Sequence, residues 1–235
     1  MSWSHVMAGS TPPPRSEVAD RALLSGGASS PEIYRMVATA LRGLPTNGGT
    51  VLDVGCGSGR LWEFVSEAFS RYLGVDVVRY EGFPPEAELV QADLEALPLP
   101  LPAGCADVVA AIETIEHLEN PRAFMRELAR LARPGGIVIV TTPNQLSLLS
   151  KLTLVLKNRF NAFQDVQYPA HLTALLEVDL LRIAREAGLI EPRIAYSGSG
   201  RIVFTPWHYP DWLPRRWPRA MSDNVCVFAR KAGDR

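Results

Sequence analysis

The sequence predicts an α/β protein built on a mostly parallel β-sheet. Short runs of apolar and β-branched residues alternate with helical patterns along the chain, as successive β-α-β units require. One of these runs, Thr50–Val54, leads into a glycine-rich turn, and Asp76 ends the next run. Because folds of this kind bind ligands at the carboxyl ends of their strands, the same two features indicate where a site would lie.

Composition and charge place the chain among soluble globular proteins. Of its 235 residues 47% are apolar and 21% are charged, which suits one large domain. The net charge of −1 provides no basic field for nucleic acid. The three cysteines are widely spaced and predict a reduced, cytoplasmic protein without a disulfide framework. We find neither a signal-peptide pattern nor an apolar run long enough to cross a membrane.

The chain divides into a short N-terminal segment and one core domain. Residues 1–28 include three consecutive prolines, and we expect them to be poorly ordered apart from a short helix around Glu17–Leu24. Residues 29–235 are predicted to form the core domain, with insertions at about 146–169 and 198–223.

The predicted elements of the first half follow one another in regular order. Ser30 and Pro31 supply the N-cap and first-turn signals for a helix over Pro31–Leu44. The strand Thr50–Val54 and a helix over 60–70 flank the glycine-rich turn. Three further strands are predicted at Tyr72–Val75, Leu89–Gln91 and Asp107–Ile112.

The second half continues the alternation. A helix over Arg122–Leu131 is predicted to stop before a strong turn signal at 133–136. The strand Ile137–Thr142 and a helix over Leu175–Ala187, closed by Gly188, come next. The last two predicted strands are Arg193–Tyr196 and Val225–Ala229.

The stretch VLDVGCGSGR places three glycines directly after the first strand. Glycine lets the backbone turn tightly and approach a ligand with no Cβ in the way. Asp76, at the end of the next strand, can accept hydrogen bonds from both ribose hydroxyls of a nucleoside. The spacing is G-x-G-x-G rather than the G-x-G-x-x-G of dinucleotide binders. The strand before the turn, the helix after it and the acid favour a nucleoside site over a turn that binds nothing.

The stretch ETIEHLENP follows the strand Asp107–Ile112 and gathers two glutamates and a histidine. If a helical turn begins at Glu113, Glu116 and His117 share its face. Two carboxylates and an imidazole make an incomplete divalent metal site, and His171 in YPAHLT is the best candidate for the missing ligand. His117 could instead be a general base, or a helix-start residue that is tied to Glu113.

Several stretches, taken together, resemble the class I S-adenosylmethionine-dependent methyltransferases. They are VLDVGCGSGRL, GVD at 74–76, QADLEALPLP at 91–100, DVVAAIETIEHLENP at 107–121 and LARPGGIVIVTTPN at 131–144. The resemblance covers roughly residues 31–195. It implies a doubly wound, Rossmann-like sheet of seven strands, mostly parallel with an antiparallel last strand. It also implies an enzyme that transfers a methyl group from S-adenosylmethionine.

The resemblance assigns the cofactor to the glycine-rich turn and to the strand ends beside it. The turn would wrap the amino-acid part of S-adenosylmethionine, with Asp53 bracing the turn or capping it structurally. Asp76 would bind the ribose, and Asp93 with the Leu94 backbone would face the adenine amino group. The cofactor-binding set implied in this way comprises Asp53, Gly55, Cys56, Gly57, Gly59, Asp76, Val77, Asp93, Leu94, Ile112 and Glu113.

The Glu-x-x-Glu-His pattern with a later histidine resembles two branches of this superfamily. They are the ubiquinone-biosynthesis O-methyltransferases and the small-RNA 3′-terminal 2′-O-methyltransferases, which bind a divalent ion that engages neighbouring hydroxyls. The match implies Glu113, Glu116, His117 and His171 as ligands. A bound Mg²⁺ or Mn²⁺ would lower the pKa of a hydroxyl and align it with the methyl group. We expect an O-methyltransferase for a small or lipid-linked molecule, with His117 and Glu116 as candidate catalytic residues.

Three other functions stay open on the sequence. A metal-free O- or N-methyltransferase would use His117 as its general base. An RNA-end methyltransferase would share the metal pattern, but the chain lacks the basic charge that RNA favours. A non-catalytic cofactor-binding subunit would have no use for a complete set of metal ligands.

The two insertions are expected to form the walls of the site. The first contains a leucine-rich stretch over 146–163 with Lys151, Lys157 and Arg159. It would be a lid, a helix that lies on a membrane surface, or a helix packed on the domain. The stretch over 205–224 combines tryptophans with arginines, which stack on bases or sugars or cover the edge of a pocket.

Overall fold

A seven-stranded β-sheet forms the centre of the protein. The structure, a computed structural model, describes residues 17–42, 48–203 and 205–233. The strands lie in the order β3-β2-β1-β4-β5-β7-β6, which confirms the predicted α/β fold class. Their bounds are β1 Thr50–Val54, β2 Arg71–Asp76, β3 Glu88–Gln91, β4 Ala106–Ala111, β5 Ala132–Pro143, β6 Leu189–Tyr196 and β7 Asn224–Lys231.

The direction of the strands leaves one crevice at the middle of the sheet. Strand β1 pairs in parallel with β2 on one side and with β4 on the other, so the strand order reverses between β1 and β4. Strand β7 runs antiparallel to both of its neighbours, β5 and β6. At such a switch point the loops after neighbouring strands diverge, and ligands bind between them.

Helices and short turns connect the strands. The helix predicted over 60–70 is much shorter in the structure, because its flanks form turns. Two 3₁₀ helices lie at Ile115–His117 and Asp165–Gln167. The α-helices are α1 Glu17–Leu24, α2 Pro31–Leu41, α3 Trp62–Val65, α4 Pro121–Leu131, α5 Leu148–Lys157, α6 Glu177–Glu186, α7 Trp212–Arg216 and α8 Pro218–Met221.

The start of β5 differs from the sequence prediction. Residues 133–136 were predicted to form a turn before the strand, but β5 already begins at Ala132 and pairs there with Ala106 of β4. The register then shifts before Val108, and Gly135 adopts a φ of 75°. The proline and glycines therefore lie in an irregular part of the strand and do not form a separate loop.

Apolar side chains cover both faces of the sheet. Leu52 of β1 faces one layer and Val51 faces the other, as the two-residue period of a strand requires. On the first face the largest buried contributions come from α4 and α6. Helix α4 begins where Asn120 Oδ1 accepts a hydrogen bond from Ala123 N at 2.9 Å, and Pro121 occupies its first turn. The buried apolar residues of the two helices are Phe124, Met125, Leu128, Ala129, Leu131, Leu180, Ile183 and Ala184.

Helix α5 has an unusual surface. Leu156 and Val155 on its outer side are 62% and 77% exposed, so this part of the first insertion does not pack on the domain. None of the described helices is both long and apolar enough to cross a membrane. The lid or membrane-surface role of 146–163 stays a prediction.

Replacing Leu128 by alanine should destabilise the protein by about 2–5 kcal/mol, since its side chain is fully buried and a cavity would remain. The same substitution at the exposed Leu156 is the control and should change stability by less than about 0.5 kcal/mol. Denaturant unfolding of both variants measures the difference. Equal losses would contradict the packing described for α4.

Candidate functional site

A cavity of about 480 Å³ opens at the carboxyl ends of the central strands. Its size suits a ligand of nucleoside dimensions. Gly59 and Asp93 belong to the predicted cofactor set but do not line it; Asp93 Oδ1 instead accepts a hydrogen bond from Glu95 N at 2.9 Å. The other nine predicted cofactor residues do line it, namely Asp53, Gly55, Cys56, Gly57, Asp76, Val77, Leu94, Ile112 and Glu113.

Strand β2 holds the glycine-rich turn in place. The backbone N–H groups of Gly55 and Cys56 both donate to the carbonyl of Val75, at 2.7 and 3.2 Å. Gly57 N donates to Asp76 Oδ2 at 2.9 Å, and Val78 N donates to Oδ1 at 3.2 Å. Burial raises the pKa of Asp76 while these amides lower it. The carboxyl group is thus fixed at the cavity wall, where it can accept hydrogen bonds from hydroxyl groups.

Asp53 contacts strand β2 more directly than it contacts the turn. Its Oδ2 accepts a hydrogen bond from the Tyr72 hydroxyl at 2.6 Å. Its Oδ1 is buried and has no hydrogen-bond partner among the described residues. Burial raises the pKa of Asp53 to about 7, since a charged carboxylate loses its hydration there.

The segment from α1 to Ser30 crosses the glycine-rich turn and closes one side of the cavity. The Gly27 carbonyl accepts a hydrogen bond from Ser58 N at 2.8 Å, and the Ala22 carbonyl accepts one from the Tyr80 hydroxyl at 2.6 Å. Arg21 forms an ion pair with Glu95 at 2.7 Å. The predicted helix at 17–24 is present, whereas the poor order expected of residues 1–28 stays a prediction. Residues 1–16 lie outside the described residues.

Three predicted metal ligands meet beside the cavity. Glu116, His117 and His171 each offer a ligand atom within 4.8 Å of the others. The Nδ1 of His117 donates to the Ala170 carbonyl at 2.7 Å, and the Nδ1 of His171 donates to the Ala162 carbonyl at 2.5 Å. A neutral imidazole that donates through Nδ1 carries its free lone pair on Nε2. Both rings are therefore held by the backbone with one nitrogen left to bind a ligand.

Glu116 is the least satisfied polar group of this cluster. Its side chain is 0% exposed, and neither carboxylate oxygen accepts a hydrogen bond from the described residues. The neighbouring Thr142 hydroxyl is buried and unpaired as well. Burial and then the charge of Glu113 raise the pKa of Glu116, while its own backbone N–H and the nearby Thr142 hydroxyl act to lower it. Burial lowers the pKa values of His117 and His171. A buried carboxylate of this kind calls for a cationic or donor partner.

Backbone hydrogen bonds bring His171 to the 3₁₀ helix. The N–H groups of Leu172 and Thr173 both donate to the Glu116 carbonyl, at 2.8 and 3.0 Å. The Thr173 hydroxyl donates to the Leu118 carbonyl at 3.0 Å. The chain thus returns from the first insertion to the site, and the insertion itself supplies the Ala162 carbonyl that orients His171.

Glu113, the fourth predicted ligand, lies outside this group. Its Oε1 accepts a hydrogen bond from the Thr141 hydroxyl at 2.9 Å, and its Oε2 accepts one from Asn224 Nδ2 at 2.8 Å. Burial raises the pKa of Glu113 to about 7, against the effect of these two donors. Neither Thr141 nor Asn224 is assigned a role by the sequence: Thr141 lies within the stretch 131–144 without a function of its own, and Asn224 begins a strand far along the chain.

Comparison with known proteins identifies the class of protein. Residues 31–190 match the methyltransferase domain family, and the chain belongs to that family. The fold is that of the class I methyltransferases, with its cavity at the switch point of the sheet. The chain therefore contains a methyltransferase domain.

Individual relatives carry related names. A probable S-adenosylmethionine-dependent methyltransferase of Mycolicibacterium smegmatis is 32% identical over 65% of this chain and 62% of its own length. A ubiquinone biosynthesis O-methyltransferase of Maricaulis maris is 32% identical over 47% of each chain. The chain thus spans less than two thirds of the length of these relatives.

The fold recurs in solved structures. A chain of the complex between the Haloferax volcanii Trm112 methyltransferase activator and a methyltransferase superposes with a TM-score of 0.62. The match covers 92% of this chain and 96% of that chain at 17% identity. At this identity the likeness shows the fold alone.

Substituting Gly57 by alanine should lower the affinity for S-adenosylhomocysteine at least about tenfold. A Cβ at this position would lie 2.0 Å from the Gly27 carbonyl oxygen, so the segment over the turn would have to move. Gly82→Ala is the matched control, because Gly82 also has a positive φ but nothing within 4 Å of an added Cβ. Calorimetric titration compares the two variants, and equal affinities would contradict the close contact.

The pH dependence of stability should reveal the raised pKa of Asp53. Its pKa rises from an ordinary value of 3.8 to about 7 on folding, so the folded protein binds more protons between these values. The free energy of unfolding should therefore fall as pH rises from about 4 to 7, by up to about 1.4 kcal/mol per pH unit from this group. Asp53→Asn keeps an acceptor for Tyr72 and should flatten the slope. Parallel curves for the two proteins in denaturant unfolding would contradict the assignment.

Proposed function

We propose that the protein is an O-methyltransferase that acts on a hydroxyl with an oxygen neighbour, on a small or lipid-linked molecule. A divalent ion held by Glu116, His117 and His171 would activate that hydroxyl. The observation that carries the proposal is the fully buried Glu116 carboxylate, which has no hydrogen-bond partner in the described part of the chain. It lies beside two imidazoles whose Nδ1 atoms are already engaged.

The three residues fit a divalent ion on chemical grounds. Ligating histidines commonly donate their other N–H to a carbonyl or carboxylate, which sets the tautomer and orients the ring. A cation would compensate the buried Glu116 charge and would favour the neutral form of both imidazoles. Two nitrogen ligands favour Mn²⁺, Fe²⁺ or Co²⁺ on ligand type, whereas cellular abundance favours Mg²⁺. When bound, such an ion supplies the Lewis acidity that lowers the pKa of a hydroxyl.

The residues of the chain supply position and enclosure. Ile112 and the 3₁₀ helix Ile115–His117 directly follow β4, so the cofactor side and the ligand group lie within a few residues of each other. Asp76 and the glycine-rich turn would hold the cofactor, and α1 with the first insertion would keep water out of the cavity. Holding two reactants in line in this way contributes much of the rate of a displacement.

The relatives support transfer to oxygen. Several of those with 32% identity are named ubiquinone biosynthesis O-methyltransferases, among them the proteins of Maricaulis maris and Thiobacillus denitrificans. These names describe the relatives, and an oxygen acceptor for this chain is our inference from them. The charge of −1 weighs against the RNA-end alternative.

A metal-free enzyme is the second candidate. Burial lowers the pKa of His117, so the imidazole is neutral near pH 7 and can accept a proton. Its Nδ1 contact with the Ala170 carbonyl would leave Nε2 as the basic atom. This enzyme would act on an isolated hydroxyl or an amine.

Manganese binding should separate the two candidates. With the protein saturated with S-adenosylhomocysteine, electron paramagnetic resonance should show Mn²⁺ binding that is at least about tenfold weaker in Glu116→Gln and His171→Ala, because each loses a ligand. Glu67→Gln, the same substitution at an exposed glutamate that does not line the cavity, is the control and should bind Mn²⁺ normally. Affinity for S-adenosylhomocysteine should stay nearly constant throughout.

The titration is repeated with catechol, since a substrate diol would complete the ligand set. Absence of Mn²⁺ binding in the wild type under both conditions would defeat the metal proposal and favour His117 as the base. Full Mn²⁺ affinity in His171→Ala would remove that residue from the set.

A further inference from the structure

We infer that Glu113 is a cofactor-side residue positioned by Asn224, and that the metal of the proposed function has three protein ligands rather than four. The part of the inference that concerns the number of metal ligands rests on that proposed function. The family resemblance gives Glu113 both a cofactor role and a ligand role, and the inference keeps only the first. It also gives a role to Asn224, which no motif identified.

The two glutamates of the segment differ sharply in their partners. Both oxygens of Glu113 accept hydrogen bonds, one from Thr141 at 2.9 Å and one from Asn224 at 2.8 Å. Both oxygens of Glu116 are buried and have no hydrogen-bond partner within residues 17–42, 48–203 and 205–233. A carboxylate whose charge is already stabilised by two donors has less need of a cation than one with none. Glu116 is therefore a better candidate for a metal ligand than Glu113.

The backbone of Glu113 reinforces its position. Its φ of 51° lies in the left-handed region, which residues with a Cβ seldom occupy. Its N–H donates to the Thr141 hydroxyl at 3.0 Å, and the same hydroxyl donates back to Oε1. Backbone and side chain are thus tied to one residue of β5. Turning the carboxylate towards His117 and His171 would break these contacts inside a buried site.

Asn224 is itself held firmly at the edge of the cavity. It is the first residue of β7 and pairs with Pro143 at the end of β5. Its carbonyl accepts a hydrogen bond from Ser197 N at 3.1 Å, and its N–H donates to the Ser197 hydroxyl oxygen at 3.4 Å. The side-chain amide can therefore act as a fixed donor that sets the direction of the Glu113 carboxylate.

The place of Glu113 indicates what it faces. It lines the cavity beside Ile112 and close to the glycine-rich turn, where Thr114 Oγ1 donates to the Val54 carbonyl at 3.3 Å. A carboxylate oxygen that accepts one hydrogen bond keeps a lone pair for another donor. The ammonium group of the amino-acid part of the cofactor is a donor of the required charge. Asn224 would thus act on cofactor binding through Glu113.

The test compares the same substitution at two buried positions. Mn²⁺ affinity is measured by electron paramagnetic resonance and S-adenosylhomocysteine affinity by calorimetry for the wild type, Glu113→Gln and Glu116→Gln. We expect Glu113→Gln to keep Mn²⁺ affinity within about threefold and to lose about tenfold in S-adenosylhomocysteine affinity, with the opposite pattern for Glu116→Gln. Equal losses of Mn²⁺ affinity in the two variants would overturn the three-ligand assignment.

Two variants of Asn224 test its positioning role. Asn224→Ala removes the donor, and Asn224→Asp keeps the shape but sets a like charge against Glu113. Both should lose about tenfold in S-adenosylhomocysteine affinity with Mn²⁺ affinity kept, and the aspartate should be at least as weak as the alanine. A merely structural role predicts that the isosteric aspartate binds like the wild type, and that result would overturn the role. A wild type that binds no Mn²⁺ would overturn the metal half alone, since the S-adenosylhomocysteine affinities still decide the role of Asn224.

Discussion

Parallel strands that end at one edge of the sheet are the constraint on which the site depends. Because β1, β2 and β4 all point the same way, the glycine-rich turn, Asp76 and the segment after Ile112 emerge side by side. The reversal of strand order between β1 and β4 opens the crevice in which they meet. Every other part of the site, including both insertions and the N-terminal segment, is added around that crevice.

The buried carboxyl groups of the site differ in the hydrogen-bond donors that surround them. Asp76 is held by backbone amides, Asp53 by a phenol on one oxygen, and Glu113 by a hydroxyl and an amide. Glu116 alone of these four has no donor among the described residues. All four carboxyl groups lose hydration on burial, but their hydrogen bonds compensate that loss to different extents. Under the proposed function, that inequality would separate a cofactor side from a metal side within one short segment.

The strands, the glycine-rich turn and the acid at the end of β2 could be predicted from the sequence. Each of these features depends on residues that are neighbours in the chain. The pairing of His171 with His117 was also predicted, from residue type and family pattern. The contacts of Gly27 with Ser58 and of Asn224 with Glu113 were not. Each contact joins a residue of a motif, Ser58 or Glu113, to a distant residue outside any motif, Gly27 or Asn224, so only the folded arrangement reveals it. The start of β5 was misjudged because glycine and proline signal a turn and a bulge alike.

The place of β7 has a consequence for how the protein is made on the ribosome. Strand β6 is synthesised before β7 but pairs only with β7, so it cannot join the sheet until β7 lies beside β5. Asn224 begins that strand and reaches into the cavity. A nascent chain can therefore assemble the first five strands and the glycine-rich turn while its sheet edge and cavity are still unfinished. Completion of the binding site coincides with closure of the sheet, so a truncated chain would expose the edge of β5 and lack a finished cavity at the same time.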